Sequence, residues 1–414
     1  MFNGSRHPNE IIRRLDSVIL DAFGRFRVSE PSAIFATKFL TANSTSELFW
    51  DDVTTSGAAS STFNANRASN TLAVSAGGGA GTRVRQSKRR LNYQPGKSQL
   101  ILCTFVLGAE VANVTKRVGY FDENDGIFLE QTSAGLFLVR RSNATGTPVD
   151  TRVAQSDWAL DKMDGGGISA INLDPTKTQI LVINFEWLGV GRVGVGFNID
   201  GKTFLAHVFN NANNLDAVYM SNPNLPVRYE ISSSSAATAS LECICCSIIS
   251  EGGVDPVRFT YWGGRRENPL TANNNTLVYP VLAARRRSGR SAIDVGVAGA
   301  SLMCTSTASF RAALILNPTL VGASAFNFTQ VPHPNSAVEL SINTPNTVTV
   351  SGGIVLSEAY SQAQATGELA IRNDDAFRFG STVAGVEDIL VLAAQQVVGN
   401  GETYFGSMGF TDYL

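Results

Sequence analysis

The 414-residue sequence predicts an all-β protein, built from antiparallel β-sandwiches behind an extended N-terminal arm. Three observations carry that reading. Between residues 99 and 250, apolar and polar residues alternate with a period of two in about ten short runs. Turn formers punctuate those runs, and Asp200-Gly201 between NI and KTF is a two-residue hairpin signal. Helical periodicity is nearly absent, and many short strands with turn signals imply stacked antiparallel sheets.

Length and composition set the frame. A chain this long exceeds one ordinary core and implies two or three domains. Hydrophobic residues make up 43% and charged residues 16%, so there is enough apolar material to fold. The low charge suits a protein whose surface meets other subunits. A net charge of −2 gives no reason to expect specific nucleic-acid binding. No apolar run reaches the ~18 residues of a membrane span, so no membrane insertion is expected. The opening MFNGSRHPNEIIRR lacks an apolar core for a signal peptide. Five cysteines (Cys103, Cys243, Cys245, Cys246, Cys304) without a secretory signal read as buried and reduced rather than as a disulfide framework. In CICC, strict alternation puts Cys243 and Cys245 on one face and Cys246 on the other.

The chain divides into an arm (1–45), a first sandwich (46–252) and a second sandwich (253–414). In the arm, NEIIRRLDSVIL has a helical apolar face, Asp21–Gly24 reads as a turn, and Pro31 discourages helix. Phe23, Phe26, Val28, Ile34, Phe35 and Phe39 are apolar anchors without a core of their own. The basic run Arg83, Arg85, Lys88, Arg89 and Arg90 follows a glycine stretch, and reads as a solvated strand and loop or as a phosphate contact. The clearest strands lie in the first sandwich. In RVGVGFNID, Val193, Val195, Phe197 and Ile199 share a face. DPVRFTYWGGRRENP reads as a connector, and the runs from TLVYPVLAARRR to EDILVLAAQQV as the second sandwich.

No chemistry stands out. Glu130 and Glu186 on predicted strands are the one carboxylate pair to weigh for glycoside hydrolysis, and the sequence does not place them together. The acidic turn YFDENDGIF lacks the spacing of an EF-hand loop, so no metal site is assigned. His207 lies in FLAHVF between apolar neighbours, as a satisfied core or interface histidine does. There is no nucleophile elbow. The expectation is no catalytic residue and no cofactor. Trp158, Tyr261 and Trp262 are glycan-contact candidates by residue type.

LDAFGRFRVSEP, followed by GIFLEQTSAGLFLVRRS, INFEWLGVGRVGVGFNIDGKTFLAHVFNNANNL and MSNPNLPVRYEI, resembles virion structural proteins of tailed bacteriophages. In those proteins a DAFGRxRVS-type arm precedes a concanavalin A-like, lectin-like jelly-roll sandwich. The likeness covers roughly residues 15–250. It implies a non-enzymatic structural protein of the virion, assembled in the host cytoplasm and released by lysis. The favoured place is a tail-associated fibre, spike or adhesin, with capsid decoration (a head fibre) as the alternative and a glycan-degrading depolymerase as a further one. The implied partners are other virion proteins of tail, baseplate or capsid, further copies of the chain with a homotrimer favoured, and host surface glycan. The arm would dock on a neighbour through Phe23, Phe26, Val28 and Phe35, with Arg25 and Arg27 at the rim.

Overall fold

The computed structural model describes residues 23–24, 30–41, 48–253, 259–305, 308–362, 366–369 and 377–413. The chain forms two compact units, Met1–Asp255 and Pro256–Leu414.

The first unit contains β1 (Pro31–Lys38), β2 (Trp50–Gly57), β3 (Ala59–Asn64), β4 (Ser69–Val74), β5 (Gly81–Ser87), β6 (Ser98–Val106), β7 (Val114–Phe121) and β8 (Gly126–Thr132). It continues with β9 (Gly135–Ser142), β10 (Val149–Ala154), β11 (Gln179–Phe185), β12 (Val193–Ile199), β13 (Lys202–Phe209), β14 (Val227–Ser233) and β15 (Ala239–Glu251). They build two antiparallel sheets. One is eight-stranded, in the order β13-β12-β11-β6-β15-β4-β3 with β1 added on β15. The other is seven-stranded, in the order β10-β9-β8-β7-β14-β5-β2. Residues of period two from both sheets fill one core, among them Ile101, Phe105, Val118, Leu129, Leu181, Val195 and Tyr229. Asp200 and Gly201 both adopt positive φ (52° and 75°) between β12 and β13, the turn that matches strand twist.

Two expectations change here. Residues 31–38 of the arm are a strand of the sandwich, in register with Pro31 opposite Glu251 and Lys38 opposite Cys245. Phe35 and Phe39 therefore pack on Trp50, at ring distances of 5.9 and 5.5 Å, inside their own unit. The second change is in CICC. A β-bulge between Cys243 and Cys245 inserts one residue, so Cys243 and Cys246 both enter the core and Cys245 turns outward, half-buried.

The second unit contains β16 (Phe259–Arg265), β17 (Leu270–Ala272), β18 (Tyr279–Arg286), β19 (Asp294–Cys304), β20 (Phe310–Leu316) and β21 (Thr319–Val321). After these come β22 (Val338–Ser341), β23 (Thr349–Ser351), β24 (Ile354–Ser361), β25 (Thr366–Leu369), β26 (Ile389–Gln396) and β27 (Glu402–Tyr413). Two five-stranded antiparallel sheets, β16-β27-β19-β25 with β17 on β27, and β22-β18-β26-β20-β24, enclose a core of Val281, Leu302, Phe310, Leu392, Tyr404 and Phe410. Phe326 and Phe328 cover a smaller apolar cluster on the second sheet. Residues 259–265 are a strand of this sandwich rather than part of a connector. Among the described residues, no helix is long and apolar enough to cross a membrane.

Candidate functional site

The strands of the seven-stranded sheet alternate between core residues and an outer face, and that face is unusual. On β14, Val227, Tyr229 and Ile231 point into the core, so Arg228 and Glu230 point out. On β7 and β8 the outward set is Arg117, Gly119 and Phe121, and Phe128 and Glu130. Phe121, Phe128 and Val139 form a small buried cluster there, separate from the main core, with Phe137 packed beside it. The Phe121 and Phe128 rings lie 4.4 Å apart. Gly119 makes their seat. A Cβ at that position would meet the Phe128 Cα at 2.7 Å and the Ile127 carbonyl oxygen at 2.5 Å.

Guanidiniums lie over these rings, Arg228 over Phe121 at 5.5 Å and Arg141 over Phe128 at 5.2 Å. Each is also locked to carboxylates. Arg117 donates from Nε to Glu130 Oε2 at 2.7 Å and from Nη1 to Glu230 Oε1 at 2.6 Å, bridging the two acids. Arg228 grips Glu230 Oε2 through Nε and Nη2, at 3.0 and 2.6 Å, and reaches Glu123 through Nη1 at 2.6 Å. Arg141 and Asp150 form a fork at 2.8 and 2.9 Å. Arg152 donates to the second oxygen of Glu130 and lies over Phe137 at 4.2 Å. A cleft of about 390 Å³ opens among Arg117, Arg141, Arg228, Glu123, Asp150, Glu230 and Pro148.

The electrostatics follow from these pairs. Burial pushes the Glu230 carboxyl up, but Arg228 and Arg117 outweigh it and hold the group below the usual carboxylate range. Asp150 behaves alike, with burial overcome by Arg141. Burial pulls Arg117 down, and Glu230 and Glu130 more than reverse it. The paired charges favour the ionised forms of Glu230, Asp150, Arg117 and Arg228.

The residues singled out in the sequence fall in several places. Glu130 belongs to this face. Glu186 follows β11 in the other sheet, where its Oε1 accepts the Arg192 backbone N–H at 3.0 Å, so the two acids are not brought together. Trp158, read as a loop contact for glycans, is only 2% exposed; it stacks on Phe197 and donates from Nε1 to the Val153 carbonyl. An indole of that size on a loop finds its apolar partner beneath, which removes it from any glycan surface. His207 accepts the Ala159 N–H at Nδ1 and packs against Phe209, and burial lowers its pKa. Asp122 and Asp125 cap their own turn and neighbouring loops through backbone N–H groups, and Asp122 also pairs with Arg90. The basic run, read as a solvated strand and loop or as a phosphate contact, is engaged internally at Arg83, Arg85 and Arg90. Arg83 and Arg85 both bind Asp52, and Arg85 lies buried over Phe39 and Trp50. Among the described residues, no group of three or more His, Cys, Asp or Glu is arranged to hold a metal ion.

Phe23 is half-buried at a turn with Gly24, while Arg25, Phe26, Arg27 and Val28 lie outside the described residues. Phe35 is spent in its own core and is not available to a neighbour's pocket. In the second unit Tyr261 is 67% exposed. Trp262 stacks on His333 at 4.6 Å and 12°, and its Nε1 donates to Asp412 Oδ2 at 2.8 Å. The same oxygen accepts the Ala337 N–H, and burial pushes the Asp412 carboxyl up despite those donors. Sequence reasoning missed the outer-face network. Its signal was present in VRYEIS and FLVRR, where arginine and glutamate alternate with core residues.

No family model matches the chain, and no curated protein matches it. Solved structures do align with part of it. The carbohydrate recognition domain of Emp47p is 12% identical, with a TM-score of 0.34, and the match covers 55% of this chain and 99% of that one. The legume lectin-like domain from Entamoeba histolytica is 9% identical (TM-score 0.29, 52% and 96% covered). The carbohydrate esterase vb_24B_21 of the Shiga toxin-encoding bacteriophage phi24B is 13% identical (TM-score 0.30, 53% and 99% covered).

Proposed function

We propose that this chain is a non-enzymatic structural protein of a phage particle, a tail-associated fibre, spike or adhesin held by its N-terminal arm. Its first sandwich turns the ion-paired face toward host-surface glycan. One observation carries the non-enzymatic part. Glu230, the most enclosed acid of the cleft, is held ionised between two arginines. Glycoside hydrolysis needs one carboxyl with a raised pKa to protonate the leaving group, paired with a second acid across the bond. The guanidiniums fastened to Glu230 and Asp150 lower their pKa and work against the proton such a step requires. The placement on a particle rests on the DAFGRFRVSEP resemblance and on Phe23, the anchor of that motif that the described residues include.

Three experiments test the reading. Deleting residues 1–29 is expected to leave a folded protein that no longer joins particles; normal incorporation of the truncated chain rules out docking by the arm. Incubation with a broad polysaccharide panel is expected to release no reducing ends, and release that is lost in Glu230→Gln would establish a depolymerase. Labelling intact particles with antibody to residues 266–414 separates tail from head. Signal over the capsid lattice would replace the tail assignment with capsid decoration.

A further inference from the structure

The cleft on the outer face also carries information about its ligand, given the glycan-facing role put forward above. Its lining holds three guanidiniums, Arg117, Arg141 and Arg228, against three carboxylates, Glu123, Asp150 and Glu230. Every one of these six groups is already in an ion pair with another of the six. An acidic sugar would meet a carboxylate beside every guanidinium, and could take a bidentate grip on Arg141 or Arg228 only by displacing Asp150 or Glu123 and then sitting beside the acid it had expelled. A cationic ligand meets the mirror problem. A neutral polyol leaves the pairs standing.

The bonding capacity that remains suits such a ligand. A carboxylate oxygen that accepts one N–H keeps a lone pair for a hydroxyl donor. Arg117 spends Nε and Nη1 on its two acids and has Nη2 left for an incoming oxygen. Each ion pair therefore sets a donor beside an acceptor, the combination that adjacent hydroxyls on a sugar ring require. Pro148 supplies an apolar wall for ring C–H groups. The guanidiniums are fixed from below by the Phe121 and Phe128 rings, so the array is set before a ligand arrives. The cavity, about 390 Å³, falls in the range of small-ligand sites.

We propose that this cleft binds a neutral, hydroxyl-rich saccharide in preference to one bearing carboxylate, sulfate or phosphate. The test is titration calorimetry on the full chain. Neutral gluco-, galacto-, manno- and N-acetylated oligosaccharides are compared with oligogalacturonate and sialylated oligosaccharides. The expected result is binding of a neutral sugar whose affinity changes by less than about twofold between about 50 and 500 mM salt, because no net charge is neutralised. Asp150→Asn removes an acceptor from a partly exposed edge strand, and is expected to weaken that binding about tenfold while the melting temperature holds. Tighter, salt-sensitive binding of the acidic sugars would overturn the ligand class and leave the glycan-facing role intact. Neutral binding indifferent to both Asp150→Asn and Glu123→Gln would overturn the cleft as its site. Absence of binding to every saccharide would overturn the inference and the glycan-facing role together.

Discussion

Glu230 in the first unit and Asp412 in the second are both carboxylates withdrawn from water, 6% and 1% exposed, and their acidities move in opposite directions. Burial raises both. Around Glu230 two hydrogen-bonded guanidiniums outweigh it, while Asp412 has the neutral Ala337 amide and Trp262 indole as its donors, with a smaller coulombic pull from Arg290, and together these do not. The charge of the partners decides the sign, and the depth of burial does not. The contrast reflects two uses of a buried acid. In the first unit the acids anchor an array of arginines on an open sheet face. In the second a single acid ties the edge strand β16 to the loop before β22.

The comparison can be broken most sharply at Arg228. Arg228→Met leaves Glu230 with Arg117 alone and is expected to cost the first unit about 3 kcal/mol, since removing one partner strands a buried charge. Urea unfolding of the two units, followed by separate probes, should show the second unit unchanged. A loss near zero would mean the network is solvated and the contrast with Asp412 is false. Next in size is Gly119→Ala, which drives a methyl against the Phe128 backbone beneath the guanidiniums. About 2 kcal/mol is expected from the same unit.

Acid should pull the two units apart. The folded-state pKa of Glu230 lies below its ordinary 4.5, so its contribution is present above 4.5 and is lost as pH falls through the folded value. The folded-state pKa of Asp412 lies above its ordinary 3.8, so its contribution is complete below 3.8 and is lost as pH rises through the folded value. Scanning calorimetry from neutral pH toward pH 4 is expected to show the second unit's transition rising. The first unit's transition should fall once the pH drops below 4.5. Asp412→Asn, which keeps an acceptor for Trp262, should flatten the second trend and raise that transition by a few degrees at neutral pH. An unchanged slope would show that Asp412 does not carry it.

The smallest effect concerns thiols. Burial raises the pKa of Cys103 and Cys243 well above the ordinary thiol value and that of Cys246 to about 12. Cys245 is the cysteine the bulge turns outward. A thiol reagent on the native chain should therefore modify Cys245 first, and Cys245→Ser should abolish that fast phase. Fast loss of two thiols would contradict the inward placement of Cys246.

Much of this architecture was legible in the sequence because a strand with one buried face writes a two-residue period into its side chains. RVGVGFNID became β12 with the face expected, Val193, Val195 and Phe197 in the core and Ile199 packed against it. The period fails where glycine stands at core positions. In β27 the inward set is Tyr404, Gly406, Met408, Phe410 and Asp412, and Gly406 has no side chain because Leu392 and Val281 fill its place. The alternation is real but invisible to hydropathy, so β27 and its partner β16 were missed. The bulge in CICC escaped for a related reason, since one inserted residue reverses every later face and leaves composition untouched. The outer-face site was half legible. Arg228 and Glu230 alternate with core residues, yet the pairing that joins them to Arg117 on a distant stretch of chain is set by sheet order.

The first described strand of the first sandwich begins at Pro31 and the last ends at Glu251, and these two residues are cross-strand neighbours on β1 and β15. Tension applied between the two ends would therefore not run through the body of the sandwich. It would act on one seam, opening β1 from β15 a rung at a time from the Pro31 end. The sandwich would hang beside the line of force as a pendant, still folded, much as a hook stays whole while its stitching gives way.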